Sequence, residues 1–313
     1  MSTASAPGKI ILFGEHAVVY GRPALAVPVT QVQATVTVEA GAERGVWLEA
    51  PGIDLHCFLS AIPADHPLAA AVHHVVAALG RSLPESLKIT IHSTIPVASG
   101  LGSGAAVSVA LIRALSAFLD QPLPDERVSA LAYEVEKIHH GTPSGIDNTV
   151  ITYARPVYFV KGRPIETFHA GQPFSLVIAD TGIPAPTREA VGDVRKLWEA
   201  HPEECEKIFD EIGQIADLAR QKITSGEWQA LGELMDRNHL LLRQLTVSCP
   251  ALDRLVQAAR QAGALGAKLS GGGRGGNMIA LIDKENAPAV TEALKSAGAR
   301  RTIVTQVGEI TAG

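Results

Sequence analysis

A chain of 313 residues is long enough for two domains that each bury a core. Its composition, 46% hydrophobic, 19% charged and 4% aromatic, is that of a folded globular protein and excludes a disordered one. The net charge of -5, from 32 acidic and 27 basic side chains without long single-sign runs, excludes a nucleic-acid footprint, so an anionic ligand has to be held locally. Residues 8–13, GKIILF, and 24–40, ALAVPVTQVQATVTVEA, read as strands, the second alternating through Val32, Ala34, Val36 and Val38. HPLAAAVHHVVAAL predicts a helix, and Leu87, Ile89 and Ile91 mark the strand LKITIHS. A helix over about 105–119 follows the loop PVASGLGSGAA (96–106) and ends at DQPLPDE, where prolines stop it. The next, 126–140, carries Val128, Leu131, Ala132, Val135 and Ile138 at helical spacing and closes on HHGTPSGIDN.

After the strand-like PVYFV and turn-rich KGRP and AGQP, residues 187–263 are almost wholly helical in pattern, interrupted at Pro202, Gly226 and Pro250. AKLS, NMIALID and RTIVTQV then supply strands around a last helix at 285–297. The change of character places a domain boundary near 170, giving domains of 1–170 and 171–313. Cys57, Cys205 and Cys249 form no CxxC pair, which points to a reducing compartment, the cytoplasm, and to no zinc site. The segment MSTASAPGKIILFGEH has no basic run followed by a long apolar one, and no uncharged apolar run nears the roughly 20 residues that span a bilayer. Neither export nor membrane insertion is expected.

The loop 96–106 sits between a strand and a helix, where main-chain N–H groups lack internal partners and the helix dipole adds positive charge. Glycine lets such a loop curl around a phosphate without Cβ clashes; a tight turn with no ligand is the bland alternative. No GxxxxGK[ST] run is present, so this is not a Walker A loop. Gly100, Gly102 and Ala105 do satisfy G-x-G-x-x-A, but Asp120, near the expected acidic position, enters a proline-rich loop rather than ending a strand, which weakens a dinucleotide reading. A second glycine cluster, KLSGGGRGGN (268–277), lies between two strands of the other domain, and two such loops suit one ligand held by both. Taken singly, Lys9, Glu15 and His16 read as strand-end or packed residues, and Asp147 as a helix cap.

Three motifs in order, PGKIILFGEHAVVYG (7–21), PVASGLGSGAA (96–106) and KLSGGGRGGNMIAL (268–281), with HGTPSGIDN (140–148) between the last two, resemble the mevalonate kinases of the GHMP small-molecule kinase superfamily. The resemblance implies an α+β, two-domain fold: an N-terminal mixed α/β domain holding ATP and a C-terminal ferredoxin-like domain. It implies phosphoryl transfer from ATP, with Mg2+, to the 5-hydroxyl of mevalonate; a sister kinase for phosphomevalonate or another small alcohol and a non-catalytic sensor are the alternatives. By similarity Asp147 is the general base, and Lys9 the cation that keeps it charged and stabilises the attacking oxygen. Glu15, His16 and Thr187 resemble the acceptor-binding set. Pro96, Gly100, Leu101, Gly102, Ser103, Gly104, Ala105, Gly272 and Gly273 resemble the nucleotide-binding loops. Ser103 and Glu136 resemble the magnesium ligands, Glu136 being chosen over Glu134 by the family's spacing of eleven residues before Asp147, since helical periodicity does not separate the two. His139 reads as a core histidine. The partners implied are the two small-molecule substrates, with no nucleic acid and no membrane; a homodimer is compatible with the resemblance.

Two departures stand out. Gly104 occupies the place of the second serine of the family's GLGSSAA loop. Arg274 and Asn277 replace a glycine and a cysteine of the third motif, and Arg274 fits either a triphosphate contact or a solvated side chain.

Overall fold

The structure, a computed structural model, describes residues 1–96, 99–140, 143–164, 166–185 and 187–308; the side chains of His139 and His140 lie outside the description, and with them the reading of His139 as a core residue. The chain forms two compact units, and they do not follow one cut near 170. The first comprises Met1–Gly8, Val32–Val97 and Leu101–Ala154; the second comprises Lys9–Gln31, Ala98–Gly100 and Arg155–Gly313. The strands β1 (Ser2–Phe13) and β2 (Ala24–Ala40) therefore contribute to both.

In the first unit, β3 (Gly45–Ala50) pairs antiparallel with β4 (Leu55–Phe58) and parallel with β5 (Ser86–Ser93). The second half of β2 runs antiparallel to β5 in a register that sets Val36 opposite Ile91 and Val38 opposite Ile89. The period-two alternation predicted for β2 is realised: Val32, Ala34, Val36 and Val38 are buried. Against this core pack α1 (Pro67–Leu79), α2 (Ser103–Phe118), α3 (Asp125–His140) and α4 (Ile146–Tyr153). Val128, Ala132 and Val135 of α3 are buried, whereas Ile138 is exposed, because the buried stripe runs out at the end of the helix.

The second unit has a four-stranded antiparallel sheet built from β8 (Phe174–Asp180), β9 (Gly266–Ser270), β10 (Asn277–Ile282) and β11 (Arg301–Val307). Its order, β11-β8-β10-β9, with α5 (Thr187–Ala200), α6 (Pro202–Ser225), α7 (Leu231–Gln244) and α8 (Pro250–Gln261) between β8 and β9, and α9 (Ala287–Ser296) between β10 and β11, is the ferredoxin-like arrangement. The interruptions at Pro202, Gly226 and Pro250 are helix boundaries: two prolines open α6 and α8, and Gly226 closes α6 in the left-handed conformation at φ 83°. Separately, the start of β2 pairs with β6 (Val157–Phe159), which pairs with the short β7 (Glu166–Thr167). The α+β class expected from the resemblance is the observed one.

Candidate active site

In the first unit, α2 opens at Ser103 with Gly102 as its N-cap at φ 73° and no side-chain capping bond. A β-carbon would strain this left-handed position, and the bare glycine leaves the first-turn amides uncovered by a side chain. Leu101 and Ala105 are buried beneath the loop, while Gly104 is exposed. The helix dipole and these N–H groups suit a phosphate.

Asp147 is not a helix cap. Gly145 takes that role at φ 89°, and Asp147 is the second residue of α4, half-buried between Ile146 and Asn148, which are buried. The helix start is tied down locally. Asn148 Nδ2 donates to Ser129 Oγ (2.9 Å) and to the Ser129 carbonyl (3.1 Å) on α3, and Thr149 Oγ1 donates to the Gly145 carbonyl (2.6 Å). Packing of α3 on α4 brings their faces together. Glu136 is buried, whereas Glu134 is exposed and bonded to Lys137 (2.7 Å), so tertiary packing separates two carboxylates that the helical wheel cannot.

In the second unit, Lys9 is buried on β1, and Glu15 and His16 follow in the turn after it. Thr187 starts α5, and a β-carbon on Gly272 would lie 3.1 Å from its hydroxyl oxygen. The carbonyl of Gly272 lies 3.0 Å from His16 Nε2 and accepts its proton. Glu15, His16, Thr187 and Gly272 are thus brought together within this unit. Burial lowers the His16 pKa to about 4, so the ring is neutral with its proton on Nε2 and Nδ1 as an acceptor.

The same holds for His239, buried and lowered to about 4, chiefly by desolvation. Unfolded histidines take up protons near pH 6.5, so both contribute stability above that pH and lose it as pH falls toward 4. The thermal midpoint should therefore drop between about pH 6.5 and 4, and two of the 11 imidazoles should stay neutral through pH 5 in a proton NMR titration; all of them titrating near 6.5 would contradict these environments.

Three contacts were not legible in the sequence. Arg274, at φ 61°, bonds through its guanidinium to Asp193 on α5. Asn277 Nδ2 donates to the carbonyl of Ser99 and so holds the loop just before Gly100, a role its family counterpart, a cysteine, has no amide to perform. Gly273, at φ 78°, passes so close to Val247 that a β-carbon would lie 2.0 Å from its carbonyl oxygen, so no other residue fits. Tyr20 stacks on Phe209 with ring centroids 4.2 Å apart.

Among the described residues no helix is long and apolar enough to cross a membrane, and no group of three or more His, Cys, Asp or Glu side chains is placed to hold a metal ion. Magnesium does not need one: it binds through one or two protein oxygens together with phosphate and water. The carboxylate of Glu136 and the hydroxyl of Ser103 are hard oxygen donors of that kind.

A strand-to-helix glycine loop, a carboxylate at a helix start, a buried lysine and a ferredoxin-like sheet define the class. Models of the GHMP kinase N-terminal and C-terminal domains match residues 67–155 and 209–300. The mevalonate kinase of Pyrococcus furiosus is 38% identical over 94% of this chain and 93% of that relative, and that of Pyrococcus abyssi is 40% identical over 94% and 92%. The crystal structure of L. major mevalonate kinase in complex with R-mevalonate aligns with a TM-score of 0.86 at 32% identity, covering all of this chain and 97% of that one. The chain belongs to the mevalonate kinases of the GHMP family, and it is an enzyme, a kinase.

Proposed function

We propose that this kinase transfers the γ-phosphoryl group of ATP to the 5-hydroxyl of mevalonate, giving 5-phosphomevalonate and ADP, an early step of isoprenoid precursor synthesis. The observation that carries this is the identity of 38% to a mevalonate kinase over nearly the whole of both chains.

The residue roles are those that the family resemblance implies. Asp147 takes the proton of the hydroxyl as its oxygen attacks the γ-phosphorus, and ADP leaves. Lys9 stabilises the charge on the attacking oxygen. Glu15 and the acceptor nitrogen of neutral His16 receive hydrogen bonds from the hydroxyl groups of mevalonate, with Thr187 adding a hydroxyl beside them. Pro96, Gly100, Leu101 and the amides of residues 102–105, together with Gly272 and Gly273, hold the triphosphate. Glu136 and Ser103 would hold magnesium, which supplies charge neutralisation on the phosphate oxygens. By function we take 1–170 as the ATP-binding part and 171–313 as the ferredoxin-like part, which adds Thr187 and the Gly272–Gly273 loop. Cys57, Cys205 and Cys249 are all free thiols, which supports a cytoplasmic setting.

ADP release measured with mevalonate, phosphomevalonate, galactose and homoserine tests the acceptor. Turnover should be fastest with mevalonate; an equal or higher kcat/KM for another alcohol would transfer the assignment to it.

A further inference from the structure

Lys268 has no part in the chemistry described so far, yet it is the largest charged side chain with no exposure, and its partner Glu15 is 1% exposed. Its Nζ donates to Glu15 Oε1 and to the carbonyl of Leu269 (2.7 Å). Glu15 Oε2 is buried and meets no donor at hydrogen-bonding geometry, although the amides of Gly271 and of Glu15 itself lie near the carboxylate and favour its charged form. A buried ion pair is a poor way to gain stability, because desolvating two charges offsets their attraction and an apolar pair of the same volume often does as well. A carboxylate with one oxygen fixed and the other left without a donor is, by contrast, an acceptor prepared for a hydroxyl.

The strand carrying Lys268 is held with matching care. β9 is an edge strand, paired with β10 on one side, so the amides of Ala267 and Leu269 point away from the sheet. Both are met by α7: Ala267 N–H donates to Asp236 Oδ1 (3.1 Å) and Leu269 N–H to His239 Nδ1 (3.3 Å). His239 carries its proton on Nε2, facing Asp253 Oδ1 at 3.2 Å, and Ser248 donates to the same carboxylate oxygen (2.6 Å). Gly266 and Gly232 let α7 and β9 approach this closely, since a β-carbon on Gly266 would lie 2.1 Å from the Gly232 carbonyl oxygen. The two residues flanking Lys268 are therefore clamped by side chains one helical turn apart.

We infer that Lys268 is a positioning residue for phosphoryl acceptance: clamped by α7, it fixes Oε1 of Glu15 so that Oε2 receives a hydroxyl of the acceptor. This deepens the proposed function and rests on its placing of Glu15 at the acceptor. The titratable groups around Glu15 are Lys268 on β9, His16 in its own turn, His239 on α7 with Asp253 on α8, and Arg274 with Asp193. Burial raises the Glu15 pKa and lowers that of Lys268, each opposing the shift in the other, while the two histidines stay neutral above about pH 4. Without the ammonium, Glu15 holds its proton to higher pH.

The test is the pH dependence of kcat/KM for mevalonate in Lys268→Met, Glu15→Gln and the double variant. In Lys268→Met the mevalonate KM should rise about tenfold or more, the ATP KM should hold within about twofold, and the acidic limb should move up by about one pH unit or more. On the Glu15→Gln background, Lys268→Met should add little, and that comparison still reads the coupling if the single Lys268 variant folds poorly. A limb that stays in place, or losses that add in full, would overturn the positioning role. If Glu15→Gln leaves the mevalonate KM unchanged, the placing of Glu15 at the acceptor fails and the inference fails with it; a raised KM there with an unmoved limb in Lys268→Met sinks the inference alone.

Discussion

Asp147→Asn should lower kcat by about two to four orders of magnitude, the usual contribution of a positioned general base, while ATP binds within about twofold of its normal affinity. The substitution keeps the shape of the side chain and removes its capacity to take a proton. It should not unfold the protein. Asp147 is only half-buried, and the residues that anchor α4 are its neighbours: Ile146, Thr149 and Val150 in the core and Asn148 bonded to Ser129. Losing a carboxylate from the first turn of a helix forfeits about 0.3–1 kcal/mol of dipole interaction, far too little to explain a thousandfold loss of rate. Turnover by ADP release, ATP affinity by calorimetry and a thermal melt separate the outcomes. A kcat within about tenfold of the parent would remove Asp147 from proton transfer and leave it only an orienting role.

The ease with which each part could be read depended on how local its cause was. β2 emerged with its bounds intact, because Val32, Ala34, Val36 and Val38 alternate through its second half and leave little room there for another assignment. The helix starts at Pro202 and Pro250 are equally local, since proline is favoured in a first turn and barred further in. β8, the strand that lies between β10 and β11, carries no alternation: FSLVIAD is buried almost throughout, and a short unbroken apolar run does not distinguish strand from helix. α4 escaped because eight residues hemmed by glycine and proline read as a turn.

The chemistry was less local still. Glu136 and Glu134 sit at mirrored angles on α3, and only the packing of neighbouring helices buries one and exposes the other. The roles of Asp147 and Lys9 came from resemblance, not spacing. Glu15 and Lys268 are 253 positions apart, and Arg274 and Asp193 are 81 apart, so no window along the chain contains either pair. What the third motif did announce was its glycines: a backbone that passes against Val247 at Gly273 tolerates no side chain.

Lys9→Met should cost about two to three orders of magnitude in kcat, comparable to removing one donor from a site that stabilises developing charge. Methionine keeps the aliphatic length that β1 buries at this position, where the lysine is 5% exposed, so loss of packing is minimised and loss of charge is what the assay reads. The sharper expectation concerns the pair. If Lys9 and Asp147 act on the same hydroxyl in one step, whichever is removed first destroys most of what the other contributes, and the double variant should be no more than about tenfold slower than the slower single one. Groups that act as a unit behave in this way, whereas groups that assist separate steps multiply their losses. Single-turnover rates at saturating ATP and mevalonate give the comparison free of product release. A double variant whose loss equals the product of the two would show that Lys9 serves the triphosphate independently of the acceptor oxygen, and would confine the proposed charge stabilisation to the leaving side of the reaction.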